Sequence, residues 1–248
     1  MKLCAVFTLM VAVPLITSCC AVPDLSGLSG QGPLIGSGIV VTEEFDLSGF
    51  DQVEVSSAFD VQISQADQFS VVVRVDDNVK QYLDVVKQGS TLRIGLKPFS
   101  SSAVSAMTLE AEVTMPELTG LELSGASDVS VGDFKSTQPL YVEVSGASSL
   151  RGDIEAGGVR FDVSGASDVK LSGSGGDLVM DVSGAGKADL ADFQVGDASI
   201  EASGASSATV NVSGRLDVEA SGASRVRYRG SPTLGSVNSS GGASIEAW

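Results

Sequence analysis

The stretch Phe161-Asp162-Val163-Ser164-Gly165-Ala166-Ser167-Asp168-Val169 decides how this chain is read. Its centre, Ser-Gly-Ala, recurs at Ser124, Ser145, Ser164, Ser183, Ser203 and Ser221, at intervals of 21, 19, 19, 20 and 18 residues. A degenerate seventh copy reads Gly241-Gly242-Ala243, 20 residues further on. A period near 20 that drifts by a residue or so marks a stacked array, because loops absorb the drift while stacked positions keep step.

Aligning the copies on the serine assigns a role to each position. One and three residues before it lie Leu123/Leu121, Val144/Val142, Val163/Phe161, Val182/Met180, Ala202/Ile200 and Ala220/Val218, all apolar and so inward. Between them stand Glu122, Glu143, Asp162, Asp181, Glu201 and Glu219, all acidic and so outward. After the corner a second strand points Val129/Val131, Val169/Leu171, Ala188/Leu190, Ala208/Val210 and Val226/Tyr228 inward; Leu150 keeps that column in the second copy, where Gly152 ends it early. One recurrence per ~20 residues suits a coil of two or three short strands per turn. The corner glycine takes a positive φ, with alanine inside the bend. The expected fold is all-β, a parallel β-solenoid over residues 119–248 with about six or seven rungs, ~30 Å long at ~4.8 Å per strand. An antiparallel sandwich is the alternative that the same alternation allows.

The acidic column is the sharpest feature. Its carboxylates stand about one strand spacing apart, and like charges directly opposite are destabilising. Either they form a solvated ridge, screened by salt, that blocks lateral sheet association, or calcium ions sit between rungs with Glu122, Glu143, Asp162, Asp181, Glu201 and Glu219 as ligands. Two further outward columns, Ser130/Arg151/Lys170/Asp189/Thr209/Arg227 and Asp128/Ser149/Asp168/Lys187/Ser207/Arg225, are mixed in sign. A column of Ser127, Ser148, Ser167, Ser206, Ser224 and Ser244, interrupted by Gly186, is expected to hydrogen-bond along the ladder.

Residues 1–18 read as a secretory signal: Lys2, then an apolar run from Leu3 to Ile16, too short to span a membrane. Its end, Ile16-Thr17-Ser18-Cys19, resembles a bacterial lipobox, which makes Cys19 the lipidated N-terminus. By resemblance to the enterobacterial sorting rule, Cys20 after it favours the outer membrane of a Gram-negative cell. Residues 19–40, rich in Gly, Ser and Pro, read as a flexible tether. Residues 41–118 alternate with period two, as in Phe59-Asp60-Val61-Gln62-Ile63, and form an N-terminal β portion of the same head domain. Within it Asp76-Asp77-Asn78 is expected to cap one short helix, and Ser100–Ser105 to be a loop.

Composition narrows the function. Loss of Lys2 with the signal takes the net charge from −16 to −17, which repels nucleic acid and anionic lipid head groups. Beyond Cys20 there is no cysteine, so no disulfide framework is expected. The sequence has no histidine, which removes Ser-His-Asp and Cys-His nucleophiles and His-based zinc sites. Gly184-Ala185-Gly186-Lys187 echoes a phosphate loop but keeps register with the other corners and has Ala188 where a magnesium-binding hydroxyl belongs. Glycoside hydrolysis needs a special carboxylate pair, and no carboxylate here departs from the repeat. The reading is non-enzymatic, with no cofactor.

Phe45-Asp46-Leu47-Ser48-Gly49-Phe50-Asp51-Gln52-Val53, Ala58-Phe59-Asp60-Val61-Gln62-Ile63, Met115-Pro116-Glu117-Leu118 and the Ser-Gly-Ala-Ser-Asp units together resemble the auto-transporter adhesin head (GIN) domain family, over about residues 41–235. The resemblance implies a right-handed parallel β-helix in an exported, lipoprotein-type bacterial protein. The expectation is then a lipid-anchored, non-catalytic envelope protein whose solenoid surface serves adhesion to a glycan or protein. A structural component assembling through the solenoid ends, or a polysaccharide-active solenoid enzyme, are the alternatives. Ile245 and Trp248 are expected to cover the terminal rung as an apolar lid that limits self-association.

Overall fold

The structure, a computed structural model, describes residues 34–98 and 104–248. The signal, Cys19 and most of the tether lie outside the described residues. Between residues 120 and 247 every strand pairs in parallel with its counterpart one repeat away, so the array is a β-solenoid and not a sandwich. Each coil contains a short strand such as Val159–Val163, the Ser-Gly-Ala corner, a longer strand such as Asp168–Ser174, and a return turn. The short strands build a ten-stranded sheet and the longer ones an eleven-stranded sheet.

The strands form where period-two alternation lets one side of each enter the space between the sheets. All the residues aligned as inward are buried except Tyr228, which is half-buried. Two inward columns escaped the sequence reading: Leu140, Val159, Leu178, Ala198 and Leu216 at the start of the short strands, and Phe134, Ile154 and Phe193, with Gly173 between the last two, near the end of the longer ones. The aromatic-bearing column is hard to align because the ladder shifts register before it, between Val131 and Phe134 and between Lys170 and Ser172. Gly152 does not end its strand, which runs from Ser149 to Glu155. It pairs with Val131 and Leu171, and a side chain there would strike the Val131 carbonyl oxygen.

The corners hold the coils in step. Gly125, Gly146, Gly165, Gly184, Gly204 and Gly222 all have φ between 67° and 76°. The N–H of the following alanine donates to the carbonyl of the corner glycine one coil below, as in Ala166 to Gly146 and Ala185 to Gly165, both 2.8 Å. That carbonyl lies where a Cβ on the next glycine would sit, so both the left-handed φ and the close approach require glycine. Contrary to the sequence reading, the corner alanines are exposed, and the small residue inside the bend is the serine after them. Ser127, Ser148, Ser167, Ser206 and Ser224 are at most 2% exposed, and they do not hydrogen-bond to one another. Ser127 Oγ donates to the Ser124 carbonyl and Ser224 Oγ to that of Ala202, whereas the hydroxyls of Ser148, Ser167 and Ser206 have no partner. The seventh corner is Ser240-Gly241-Gly242, one residue earlier than alignment placed it: Ser240 N–H donates to Ala220 as Ser221 N–H does to Ala202. Ser244 accordingly pairs with Arg225 in an outward column and leaves the serine column.

The N-terminal portion shares both sheets with the repeats. Gln52–Val55 and Asp60–Gln65 are a full coil in register with Gly120–Leu123 and Asp128–Lys135, turned through Ser57 and Ala58, whose φ values are 65° and 63°. Thr91–Leu96 and Leu109–Met115 form a further coil outside it. The first coil is therefore intercalated between a later one and the repeats. Antiparallel strands close this end, Leu83–Gln88 on one sheet and Ser70–Asp76 with Val40–Glu44 on the other. The short helix is a single 3-10 turn, Lys80–Tyr82, and the expected cap is not made: Val79 is its N-cap, with no side-chain hydrogen bond to the turn. The described end of the predicted tether is folded: Leu34–Ile35 pairs with Val104–Ser105, two residues assigned to a loop. Nearby, buried Asp76 accepts hydrogen bonds from Gly38 N–H and Thr108 N–H, both 2.7 Å, which pins the two segments together.

The far end differs from expectation. The last strand of the ten-stranded sheet, Thr233–Ser239, is exposed along its whole length. Trp248 is 67% exposed and lies beside the Arg229 guanidinium at 5.9 Å, so it does not cover the last coil, and only Ile245 packs partly against the core.

Two outcomes follow from the corners. Gly165→Ala combines a left-handed alanine with a collision against Gly146, and equilibrium denaturation is expected to show a loss of about 3 kcal/mol. Replacing the unpartnered hydroxyl in Ser148→Ala, Ser167→Ala or Ser206→Ala should leave stability unchanged or raise it by up to about 1 kcal/mol, whereas Ser224→Ala should lower it by about 1 kcal/mol. A similar loss in all four would refute the assignment of partnered and unpartnered serines.

Candidate functional site: the acidic ladder and its notch

The outward face of the ten-stranded sheet carries the predicted acidic column as one continuous ladder. Glu122, Glu143, Asp162, Asp181, Glu201 and Glu219 pair in succession. The ladder extends one coil further, to Glu54, and then ends at Arg93, whose Nε lies 3.1 Å from the Glu54 carboxylate. At its other end Glu219 pairs with Asn238. Glu54 was legible, since Val53-Glu54-Val55-Ser56-Ser57-Ala58 repeats the apolar-acid-apolar pattern before a corner that lacks only its glycine. Arg93 had no such signal, because its strand enters from outside the repeat order.

Like charges in register leave their mark on protonation. Burial, then Glu54 and Glu143, raise Glu122 above its ordinary value, with Arg93 opposing. Burial, then Asp162 and Glu201, raise Asp181, with Arg160 opposing. On the other sheet burial, Asp128 and Glu110 raise Asp60. The carboxylates lie along a line, and among the described residues no three His, Cys, Asp or Glu groups converge as a metal centre.

The eleven-stranded sheet presents both mixed columns in the predicted register. Opposite charges meet between coils, Arg151 with Asp128 at 3.3 Å and Lys187 with Asp168 at 3.7 Å. Lys187, from the phosphate-loop echo, is thus one member of a surface ion pair in a strand.

Beside the acidic ladder runs a second outward column, Thr91, Gln52, Gly120, Tyr141, Arg160, Val179 and Ser199. Gly120 leaves a gap in it, and above that gap opens a notch of about 400 Å³. Tyr141, 59% exposed, forms one wall; Gln52 and Thr91 form the opposite one, with Thr91 Oγ1 donating to Gln52 Oε1 at 3.1 Å. Glu54, Glu122, Glu143 and Arg93 flank it along the ladder, and Arg160 borders it beyond Tyr141. The sequence reading missed Gly120 and Tyr141, which break no alternation and precede the serine by more than the three positions aligned.

A family model described as "Putative auto-transporter adhesin, head GIN domain" matches residues 49–232. The chain belongs to this family. Solved structures with the same fold include an adhesin-designated protein of Bacteroides fragilis, 20% identical with a TM-score of 0.80, the match covering 87% of this chain and all of that one. Another, from Parabacteroides merdae, is 16% identical with a TM-score of 0.65 over 87% of this chain and 98% of its own. A protein of Parabacteroides distasonis designated as lipid-binding is 19% identical, with a TM-score of 0.69 over 87% and 99%. At these identities the likeness is one of fold. No curated protein matches the sequence.

The raised carboxylates fix the direction of pH dependence. Glu122, Asp181 and Asp60 hold a proton more tightly in the fold than in the unfolded chain, so they destabilise the native state above their raised values and cease to do so as pH falls to about 4. Asp217 has the opposite sign: Arg215 and the Ser236 N–H lower it to about 2, so its contribution is present above about 4 and lost as pH falls toward 2. The melting temperature should rise from pH 7 to about pH 4.5 and fall below about pH 4. A monotonic decline from pH 7 downward would show that the ladder is not repulsive.

Proposed function

We propose that this protein is a non-catalytic, adhesin-like surface domain, held at the cell envelope by lipid on Cys19 and presenting the outer faces of its solenoid to a partner. The observation that carries this reading is the acidic sheet face: a continuous ladder of seven carboxylates beside a column interrupted at Gly120 and flanked by exposed Tyr141. A face so ordered displays chemistry at fixed spacing on a rigid support, which suits recognition. Membership of an adhesin head family supports the same reading. Outer-membrane location and exposure on the outside of the cell belong to this proposal.

A structural role within the envelope is the second reading, and one observation favours it. The N-terminal end is closed by antiparallel strands, but the exposed last strand Thr233–Ser239 leaves Leu234 and Val237 half-exposed at the other end. An open strand edge with apolar side chains is a surface for stacking.

Protease treatment of intact cells, followed by immunoblotting against a periplasmic control, separates the two. Digestion of this protein while the control survives is expected. Protection until the outer membrane is broken would overturn the adhesin reading in favour of the periplasmic structural one.

A further inference from the structure

We propose that the notch above Gly120 binds a neutral, polyhydroxylated ligand, a pyranose residue of a glycan chain, with Tyr141 as its stacking wall. The proposal rests on the adhesin-like reading and assigns its recognition site.

Gly120 is the first reason. The corner glycines are required by positive φ and, from Gly146 onward, by a carbonyl pressed against them, and Gly152 by a carbonyl alone. Neither holds at Gly120, which has no positive φ and where the atoms nearest an added Cβ belong to the Gln52 side chain, at 2.9 to 3.4 Å, and not to a backbone carbonyl. Glycine within a strand weakens it and often marks a place where a ligand approaches the backbone closely. The missing side chain leaves room that Gln52 leans into from the neighbouring strand, and the notch opens over the two.

The walls are the second reason. Tyr141 offers a flat apolar ring with a polar tip to the C–H face of a sugar. Around it, the carboxylates of Glu54, Glu122, Glu143 and Asp162 accept hydrogen bonds at neutral pH, whereas Arg93, already paired with Glu54, and Arg160 can only donate. A hydroxyl both donates and accepts, so a ligand rich in hydroxyls satisfies both sets. Four carboxylates stand against two guanidiniums, one of them already paired with Glu54, so a uronate or sialic acid would be repelled. Burial and like charge already disfavour ionised Glu122, which a hydroxyl donor would relieve. The volume, about 400 Å³, lies in the range of small-ligand sites.

The test is a glycan array probed with the purified protein, followed by calorimetric titration of any neutral glycan retained. Tyr141→Ala removes the wall and Gly120→Thr fills the notch with a strand-compatible residue, melting curves checking that each variant folds. The expected result is binding of neutral but not uronate-bearing glycans, weakened at least tenfold by either substitution. Unchanged affinity in both folded variants would overturn the notch while leaving the adhesin reading intact, as would the absence of any neutral glycan ligand for a protein that still adheres to cells or matrix. Failure to adhere at all would remove the broader reading as well. If Tyr141→Ala does not fold, Gly120→Thr decides alone.

Discussion

From Gly125 onward each coil is tied to the next by a hydrogen bond from the N–H that follows a corner glycine, an alanine in all but the last, to the corner glycine carbonyl one coil below. The bond forms because that carbonyl points along the stack, and it points that way because the glycine adopts a left-handed φ that other residues adopt at a cost of about 1–2 kcal/mol. With the corners locked, the residues next to them fall into parallel register, and the ladder shifts only farther along the strands, as between Val131 and Phe134. The inward columns then stack like on like, and the outward columns become straight ladders. Every other property of the molecule inherits this alignment.

Alignment has an electrostatic consequence. A sheet whose coils are copies of one another places identical charges opposite one another, which a sheet of unrelated strands would avoid. On the eleven-stranded sheet the copies have diverged, and pairs such as Arg151 with Asp128 replace repulsion by weak attraction. On the ten-stranded sheet they have not, and burial together with neighbouring carboxylates raises Glu122 and Asp181. The fold tolerates this strain because the core runs unbroken from Phe50 to Val226 beneath the ladder. A row of carboxylates kept at some cost to stability, beside a gap in the next column, is the arrangement from which the recognition face was inferred.

The two ends are treated differently. At one, a coil made by residues 91–115 lies outside an earlier coil made by residues 52–65, so the chain must lay down its first coil, turn back to cap it, and only then begin the repeats. That end carries the buried carboxylate of Asp76, which gathers the backbones of Gly38 and Thr108. At the other, the stack stops with an exposed strand. The asymmetry gives the solenoid a closed end and an open one, with Val40–Glu44 at the closed end.

The sequence by itself determined what repeats: the coil, its corner glycine, the acidic column and the register of both mixed columns, because each recurs often enough that alignment averages out local irregularity. Val53-Glu54-Val55 shows the same signal in a copy that lacks only its glycine. What a repeat cannot encode fell to the tertiary structure. Whether the alanine or the following serine enters the bend depends on which side of the strand the corner leaves facing the core. Alignment slipped by one residue at Gly241-Gly242-Ala243, where the hydrogen bonds place Ser240 as the corner serine. Arg93 reaches the ladder, and Gly120 opens between Gln52 and Tyr141, only because coils distant in sequence are stacked as neighbours. Local pattern sets which side of a strand a residue faces, but only the packing of one coil on another decides what stands beside it.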